Sequence, residues 1–282
     1  LTFLTALILL FSSGCTLSEK PAQIAATTLP VYEFTSRLCA GTGITVTRLV
    51  TESVSCLHDY SLNVSQVRAA EAAELVVISG MGLEDFMDDI LSGTDTIDSS
   101  AGIEGAHSEH HHEGHHHEED AHIWLAPHNA MMMARNICQG LSQKYPAHAD
   151  TFQKNLDGLL ADLAALEAYA NETLGELSCR ELITFHDGFT YLAESFDLTI
   201  LKAIEEESGS EASAQELIEL VKLVQAHQLP AIFVETNGSA SAADIIAAET
   251  GAKIYTLDMG MAGDDYFEAM YHNIDTIKEA LG

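Results

Sequence analysis

Residues 104–124 read EGAHSEHHHEGHHHEEDAHIW, the densest run of chemically active side chains in the chain. His107, His110, His111, His112, His115, His116 and His117 fall within eleven consecutive positions, and His122 follows an acidic spacer. Imidazole is the commonest protein ligand for borderline transition metals, and the interleaved glutamates add charge attraction and oxygen donors. The run has no apolar period and contains glycine, which predicts a mobile loop rather than a helix or strand. Its composition points to the handling of metal ions and leaves the geometry open. The competing reading is a solvated polar loop without function.

A tight metal centre needs ligands fixed by regular structure. Predicted strands at 22–28, 44–50 and 74–79 alternate with helices at 30–39, 64–73, 84–91 and 127–144. Across 146–177, Phe152, Leu156, Leu159, Leu160, Leu163, Leu166, Ala170, Leu174 and Leu177 recur at steps of three and four, one apolar stripe on one long helix. At 1.5 Å per residue that helix is a rod of roughly 45 Å, long enough to bridge two small domains. Beyond it the alternation resumes, with strands at 181–185, 198–204, 231–236 and 253–257 and helices at 188–196, 214–226, 240–250 and 265–281. Strands alternating with helices predict parallel βαβ units. The expected fold class is α/β, with two similar parallel-sheet (βα)4-type domains joined by one long rigid helix. The expected divisions are an N-terminal lobe at 16–145, with the histidine loop at 104–121, a connecting helix at 146–177 and a C-terminal lobe at 178–282.

In open parallel sheets, ligands gather beyond the carboxyl ends of the strands. His58, His186 and Asp258 lie close after predicted strands, and His122 closes the histidine loop. Two come from each half, so a cleft between the halves would bring all four together. Singly, each has a plainer reading as a hydrogen-bonded histidine or a turn aspartate. Asp187 reads as a helix cap or as a residue orienting His186. His128 is expected in the first turn of its helix, His148, His227 and His272 on helix surfaces, and Met131, Met132 and Met133 in the core with one member exposed. Glu235, a conceivable general base, reads as a structural residue at a strand end.

Forty-three acidic against twelve basic side chains, a net charge of −31, exclude a nucleic-acid partner, because phosphate binding needs clustered cations. Residues 1–11 are almost wholly apolar and lead into Ser12-Ser13-Gly14-Cys15. That is too short for a membrane span, and it reads as a secretory signal at 1–15 of the bacterial lipoprotein type. Cys15 would be lipidated and become the mature N-terminus, anchoring an extracytoplasmic protein to the membrane. Cys39, Cys56, Cys138 and Cys179 contain no CxxC pair, and an exported chain could join them in any of three disulfide connectivities. Cys56, two residues from His58, reads as a buried thiol or a disulfide partner ahead of a metal-bound thiolate.

The segments CLHDYSL, DAHIWLAP, ITFHDGFTYLAESFDL and YTLDMG, in that order, resemble the four signature segments of the metal-receptor (cluster A-I) family of ABC-transporter solute-binding proteins. The similarity is greatest to its zinc-binding lipoproteins, and TTLPVYEFTSRLCAG and ETGAKIYTLD extend it over essentially the whole mature chain. The resemblance implies two α/β domains, a rigid connecting helix and one metal held in the interdomain cleft. Carried over by position, the ligands fall on His58, His122, His186 and Asp258. A histidine-rich loop just before the second ligand is typical of the zinc branch. The chain departs from the pattern in having Cys56-Leu57 where many members have proline, Ala121 before His122 and Met259 after Asp258.

Three imidazoles and one carboxylate form a compact tetrahedral set that suits Zn²⁺. The resemblance implies that a manganese receptor would carry a carboxylate in place of His186. Copper binds imidazole more tightly still, so selection against it must come from enforced geometry and availability. The expected function is capture of Zn²⁺ outside the cell, by a monomer, and its delivery to an ABC-type membrane permease. The chain lacks a GxxxxGK[ST] phosphate loop, which puts ATP hydrolysis on a partner. The rivals are a manganese or other divalent-metal receptor, a surface metal buffer or adhesin, and a zinc hydrolase. No HExxH is present and a fourth protein ligand would close the site to water, so the chain is not expected to be an enzyme.

Overall fold

The computed structural model describes residues 23–52, 54, 57, 60–105, 120–185, 188–204, 212–236, 241–261 and 263–282. The signal segment with Cys15, the seven loop histidines, Cys56, His58, His186 and Asp187 lie outside them. In chain order the elements begin β1 (Gln23–Ala26), α1 (Leu29–Leu38), β2 (Thr45–Arg48), α2 (Val64–Ala72) and β3 (Leu75–Ile78). They continue through α3 (Asp88–Leu91), β4 (Thr96–Asp98), α4 (Pro127–Lys144), α5 (Ala149–Leu174), β5 (Glu181–Thr184) and α6 (Thr190–Ser195). The last are β6 (Thr199–Ala203), α7 (Ala214–His227), β7 (Ala231–Glu235), α8 (Ser241–Thr250), β8 (Lys253–Leu257) and α9 (Tyr266–Leu281). No helix among the described residues is long and apolar enough to cross a membrane.

The first four strands form one parallel sheet in the order β2-β1-β3-β4. The last four form two parallel pairs, β5-β6 and β7-β8, with β5 packed beside β7. A register shift between Leu182 and Ile183 breaks the regular ladder on β5. The α/β class and the long helix are as expected, and each half does hold four strands.

Helix α5 has the predicted stripe: Phe152, Leu156, Leu159, Leu163, Leu166, Ala170 and Leu174 are buried, while Leu160 and Leu177 are only partly so. Its 26 residues make a rod of about 39 Å, shorter than expected because 146–148 form a separate 3₁₀ turn and the helix ends at Leu174. The rod packs on α1 and α4 of the first half and on α9 of the second. Polar ties fix both ends. Asn155 Nδ2 donates to the Leu38 and Ala40 carbonyls at 2.8 and 2.9 Å, and Tyr169 donates to Asp275 Oδ1 on α9 at 2.6 Å. At the far end Arg180 donates to the carbonyls of Leu174, Gly175 and Phe196. One continuous apolar core runs from Ile24 through the rod to Leu281.

Two local features differ from expectation. A three-residue strand, β4, precedes the histidine loop; it is too short to show alternation in sequence. The helix expected at 84–91 is instead a 3₁₀ turn at Asp85–Met87 followed by one α turn, α3. The cause is Glu84, whose buried carboxylate is spent on the neighbouring strand ends. It accepts from the Thr27 hydroxyl at 2.6 Å, the Ser79 amide at 2.8 Å and the Gly80 amide at 3.0 Å. Gly80 has φ +91°, and a Cβ there would lie 2.1 Å from Asp98 Oδ1, so only glycine makes this turn. Cys39, Cys138 and Cys179 are free thiols, two of them buried, so no disulfide joins the described cysteines.

Burial pushes the Glu84 carboxyl up from 4.5 to about 7, against the pull of its three donors and with help from Asp98. A carboxyl raised in the folded state contributes stability that is fully present below its unfolded value and lost as pH rises through its folded value. Glu84→Gln has no such titration. The stability of the wild type relative to this variant should therefore fall by on the order of 3 kcal/mol between about pH 4.5 and about pH 8. Urea midpoints of both proteins across that range measure it, and a constant difference would mean that Glu84 stays ionised throughout.

Candidate metal centre

The carboxyl ends of the strands face loops from both halves. The loop after β2 carries His58, and its anchors are described although His58 is not. Asn63 caps α2 in a reciprocal box with Gln66. Gln66 Nε2 reaches back to the Leu49 carbonyl at 2.9 Å, Glu52 Oε2 at 2.9 Å and the Tyr60 hydroxyl at 2.7 Å. The Tyr60 amide donates to the carbonyl of Leu57, which is fully buried. Both neighbours of the 58–59 step are thus pinned.

His122 is 1% exposed and stands at the head of a 3₁₀ turn, Ile123–Leu125, just before α4. Its Nδ1 lies 2.8 Å from Asp120 Oδ1, which also accepts the His122 amide at 2.9 Å. Asp120 is buried too, and its other oxygen accepts the Thr190 amide, the first of α6, at 3.2 Å. Burial raises the Asp120 carboxyl, but the bonds from His122 and Thr190 and the His122 charge outweigh it and leave the group below the usual range. An ionised Asp120 holds the Nδ1 proton on His122. Nε2, itself buried, then carries the lone pair, the form of imidazole able to bind a metal. Asp120 also ties the His122 segment to α6, which follows the 186–187 step in the second half.

Asp258 follows β8 and is partly buried. Its amide donates to Asn273 Oδ1 at 2.8 Å, its carbonyl accepts from Asn273 Nδ2 at 2.7 Å, and its Oδ1 accepts the Gly260 amide at 2.7 Å. Burial raises its carboxyl and the charge of Glu235 adds to the rise, while the Gly260 amide and His272 oppose it. Glu235 ends the neighbouring strand β7 and is buried. Two carboxylates crowded at adjacent strand ends favour an added cation.

His122 and Asp258 hang on segments that are joined directly. Trp124 Nε1 donates to the Met259 carbonyl at 2.7 Å, and the Trp124 carbonyl accepts the Tyr266 hydroxyl at 2.7 Å. The Trp124 ring also stands edge-on to the His122 imidazole, 5.4 Å between centroids. Two of the four expected ligands are therefore brought to one interface between the halves. His58 and His186 are outside the described residues, and among those that are described no group of three His, Cys, Asp or Glu is placed to hold a metal. His128 is exposed in the first turn of α4, and His227 and His272 are exposed on their helices. Met131 and Met133 are buried with Met132 less so, as expected. A crevice of about 520 Å³ opens at the base of the histidine loop, between 102–105, His128 and Met132 on α4, and Tyr191 and Glu194 on α6.

Asp120 was missing from the residues picked out by sequence, where it passed for part of an acidic spacer. Its only signal is an aspartate two positions before a histidine, which becomes meaningful once the local turn is known.

The family model described as zinc-uptake complex component A, periplasmic, matches residues 24–280. A Treponema pallidum protein named for metal binding is 29% identical over 297 residues, covering 97% of this chain and 93% of the relative. Zinc-binding lipoprotein AdcA of Streptococcus pneumoniae is 29% identical over 301 residues, covering 99% of this chain but 60% of the relative. The chain thus spans little more than half the length of the streptococcal proteins it matches. Among solved structures, ZnuA is 29% identical with a TM-score of 0.82, covering 93% of this chain and 100% of that one. The Zn(II)-bound ZnuA-like domain of S. pneumoniae AdcA is 26% identical with a TM-score of 0.79, covering 93% and 99%. With all but the two ends of the chain inside the family match, this protein belongs to the periplasmic zinc-uptake component A family of solute-binding proteins.

Proposed function

We propose that this chain captures Zn²⁺ between its two lobes and delivers it to an ABC-type import permease. The observation that carries this reading is the buried pair Asp120–His122, set to present one imidazole nitrogen on the segment that Trp124 ties to the Asp258 loop. His58 and His186 complete the set, and three imidazoles with one carboxylate favour Zn²⁺ over Mn²⁺. The seven histidines from His107 to His117 gather ions at weak sites and raise their concentration at the cleft mouth, an effect that fades below about pH 6.5 as imidazole protonates. The lobes run 16–145 and 178–282, with 146–177 between them. Cys15 carries the lipid that holds the monomer outside the membrane. Four protein ligands leave no open position for a catalytic water, so the protein performs no hydrolysis.

Deletion of residues 104–119 tests the division of labour. Calorimetry on the shortened chain should retain one tight Zn²⁺ site per molecule and lose the weak ones. Loss of the tight site would move the centre into the histidine loop.

A further inference from the structure

Metal that is captured must also leave, and the loop carrying Asp258 is fastened to the opposite lobe by more than Trp124. Arg48 ends β2, the edge strand of the first sheet, at the carboxyl side where the metal loops gather. Among the described residues its guanidinium donates to three carbonyls and to no carboxylate. Nε reaches Val50 at 2.6 Å, Nη1 reaches Gly263 at 2.6 Å, and Nη2 bonds Met261. The Val50 contact belongs to its own lobe, and the other two lie 215 and 213 residues away in sequence. Gly260 and Gly263 have φ of +68° and +76°, two left-handed steps in the loop whose alternate carbonyls bond the N-terminal lobe. Met259, Met261 and Gly263 are all held this way, the first by Trp124 and the others by Arg48.

We infer that Arg48 is the interlobe latch of the metal centre: it holds the Asp258 loop against the first lobe and so sets the rate at which bound Zn²⁺ leaves. This rests on the metal-capture reading. Asp258 cannot swing away from a shared cation while the Met261 and Gly263 carbonyls of its loop are bonded to one planar fork, so those bonds must break on the way to release. A residue acting in this way changes dissociation much more than association. Lysine keeps the charge but supplies a point donor where the loop needs a fork, so Arg48→Lys separates positioning from electrostatics. Arg180 serves as a control. It forms a similar fork on carbonyls at the amino end of β5, away from the metal loops, and its loss costs structure without touching the latch.

The experiment loads the full-length chain with one Zn²⁺ and mixes it with excess 4-(2-pyridylazo)resorcinol in stopped flow. Association rates are read in the reverse mixing, and melting of the metal-free proteins is followed alongside. Arg48→Lys and Arg48→Met should both release Zn²⁺ at least about tenfold faster than wild type, with association changed by less than about twofold. Arg180→Lys should release at the wild-type rate even if it melts earlier. Release from Arg48→Lys at the wild-type rate would overturn the latch, as would equal acceleration by Arg180→Lys, which would trace the effect to general loosening. A wild type that retains no Zn²⁺ would overturn the metal-capture reading itself.

Discussion

Replacing His122 by alanine should weaken Zn²⁺ binding by about a hundredfold or more. Four-ligand zinc sites bind with about 10–16 kcal/mol, so one ligand's share is about 3 kcal/mol, or roughly two decades in Kd. Asp120→Asn should cost about 10–100-fold, in the range of other groups that orient a metal-bound imidazole. The amide cannot hold the Nδ1 proton as the carboxylate does, and the tautomer that offers Nε2 to the metal loses its support. Because Asp120 acts through His122, the two effects should not add: the double variant should bind about as weakly as His122→Ala alone. Competition against a chromophoric chelator measures all three. Removal of the His122 imidazole also strips the buried Asp120 of its ring partner, leaving it the backbone amide of residue 122 and its bonds from Thr190, so the metal-free variant should melt earlier. An unchanged affinity in His122→Ala would remove this residue from the site, and additive losses would give Asp120 a role of its own.

What could be read in the sequence followed from how local each signal is. The α5 stripe extends over seven turns, and a repeat that long survives any detail of packing. Asp258 was legible because β8 is a plain five-residue strand and the aspartate follows it directly. Asp120 was not, because half of its role is a bond to Thr190, seventy residues on, across the lobe interface. Arg48 was silent for the same reason: a basic residue at a strand end gives no hint that its acceptors are the carbonyls of a loop near the far end of the chain. Glu84 opens an apparent helix in sequence. Folded, it turns inward to bond three groups on two strands, and the helix breaks around it. The register shift between Leu182 and Ile183 in the β5-β6 pair is likewise announced by no pattern of residue types. Both loops expected to bear the metal were thus picked out in sequence, whereas the groups that hold them together appear only when distant segments meet.

The largest effect on stability should come from Trp124→Ala. Trp124 is the chain's one tryptophan, fully buried, and heads the largest enclosed side chains. It packs where the lobes meet: the His122 ring stands against it, the position of a Gly260 Cβ lies 3.4 Å from its Nε1, and Tyr266, bonded to its carbonyl, packs edge-on to Phe34 at 5.1 Å. Truncating a buried tryptophan to alanine costs about 3–5 kcal/mol. That is a large share of the roughly 5–15 kcal/mol that stabilises a typical protein. Melting should fall by about 10 °C, at about 2–4 °C per kcal/mol for a chain of this size class. Trp124→Phe divides the loss into its parts. It keeps most of the apolar volume and forfeits the bond to the Met259 carbonyl, at a cost of about 1–3 kcal/mol. Because that bond joins the His122 segment to the Asp258 loop, Trp124→Phe should weaken Zn²⁺ binding by more than its small cost in stability would suggest. Urea unfolding followed by circular dichroism serves all three proteins, since the variants have lost the fluorophore. A Trp124→Ala protein within about 1 kcal/mol of wild type would mean that the lobes do not rely on this contact, and the metal centre would then need another explanation for how its two halves are kept in register.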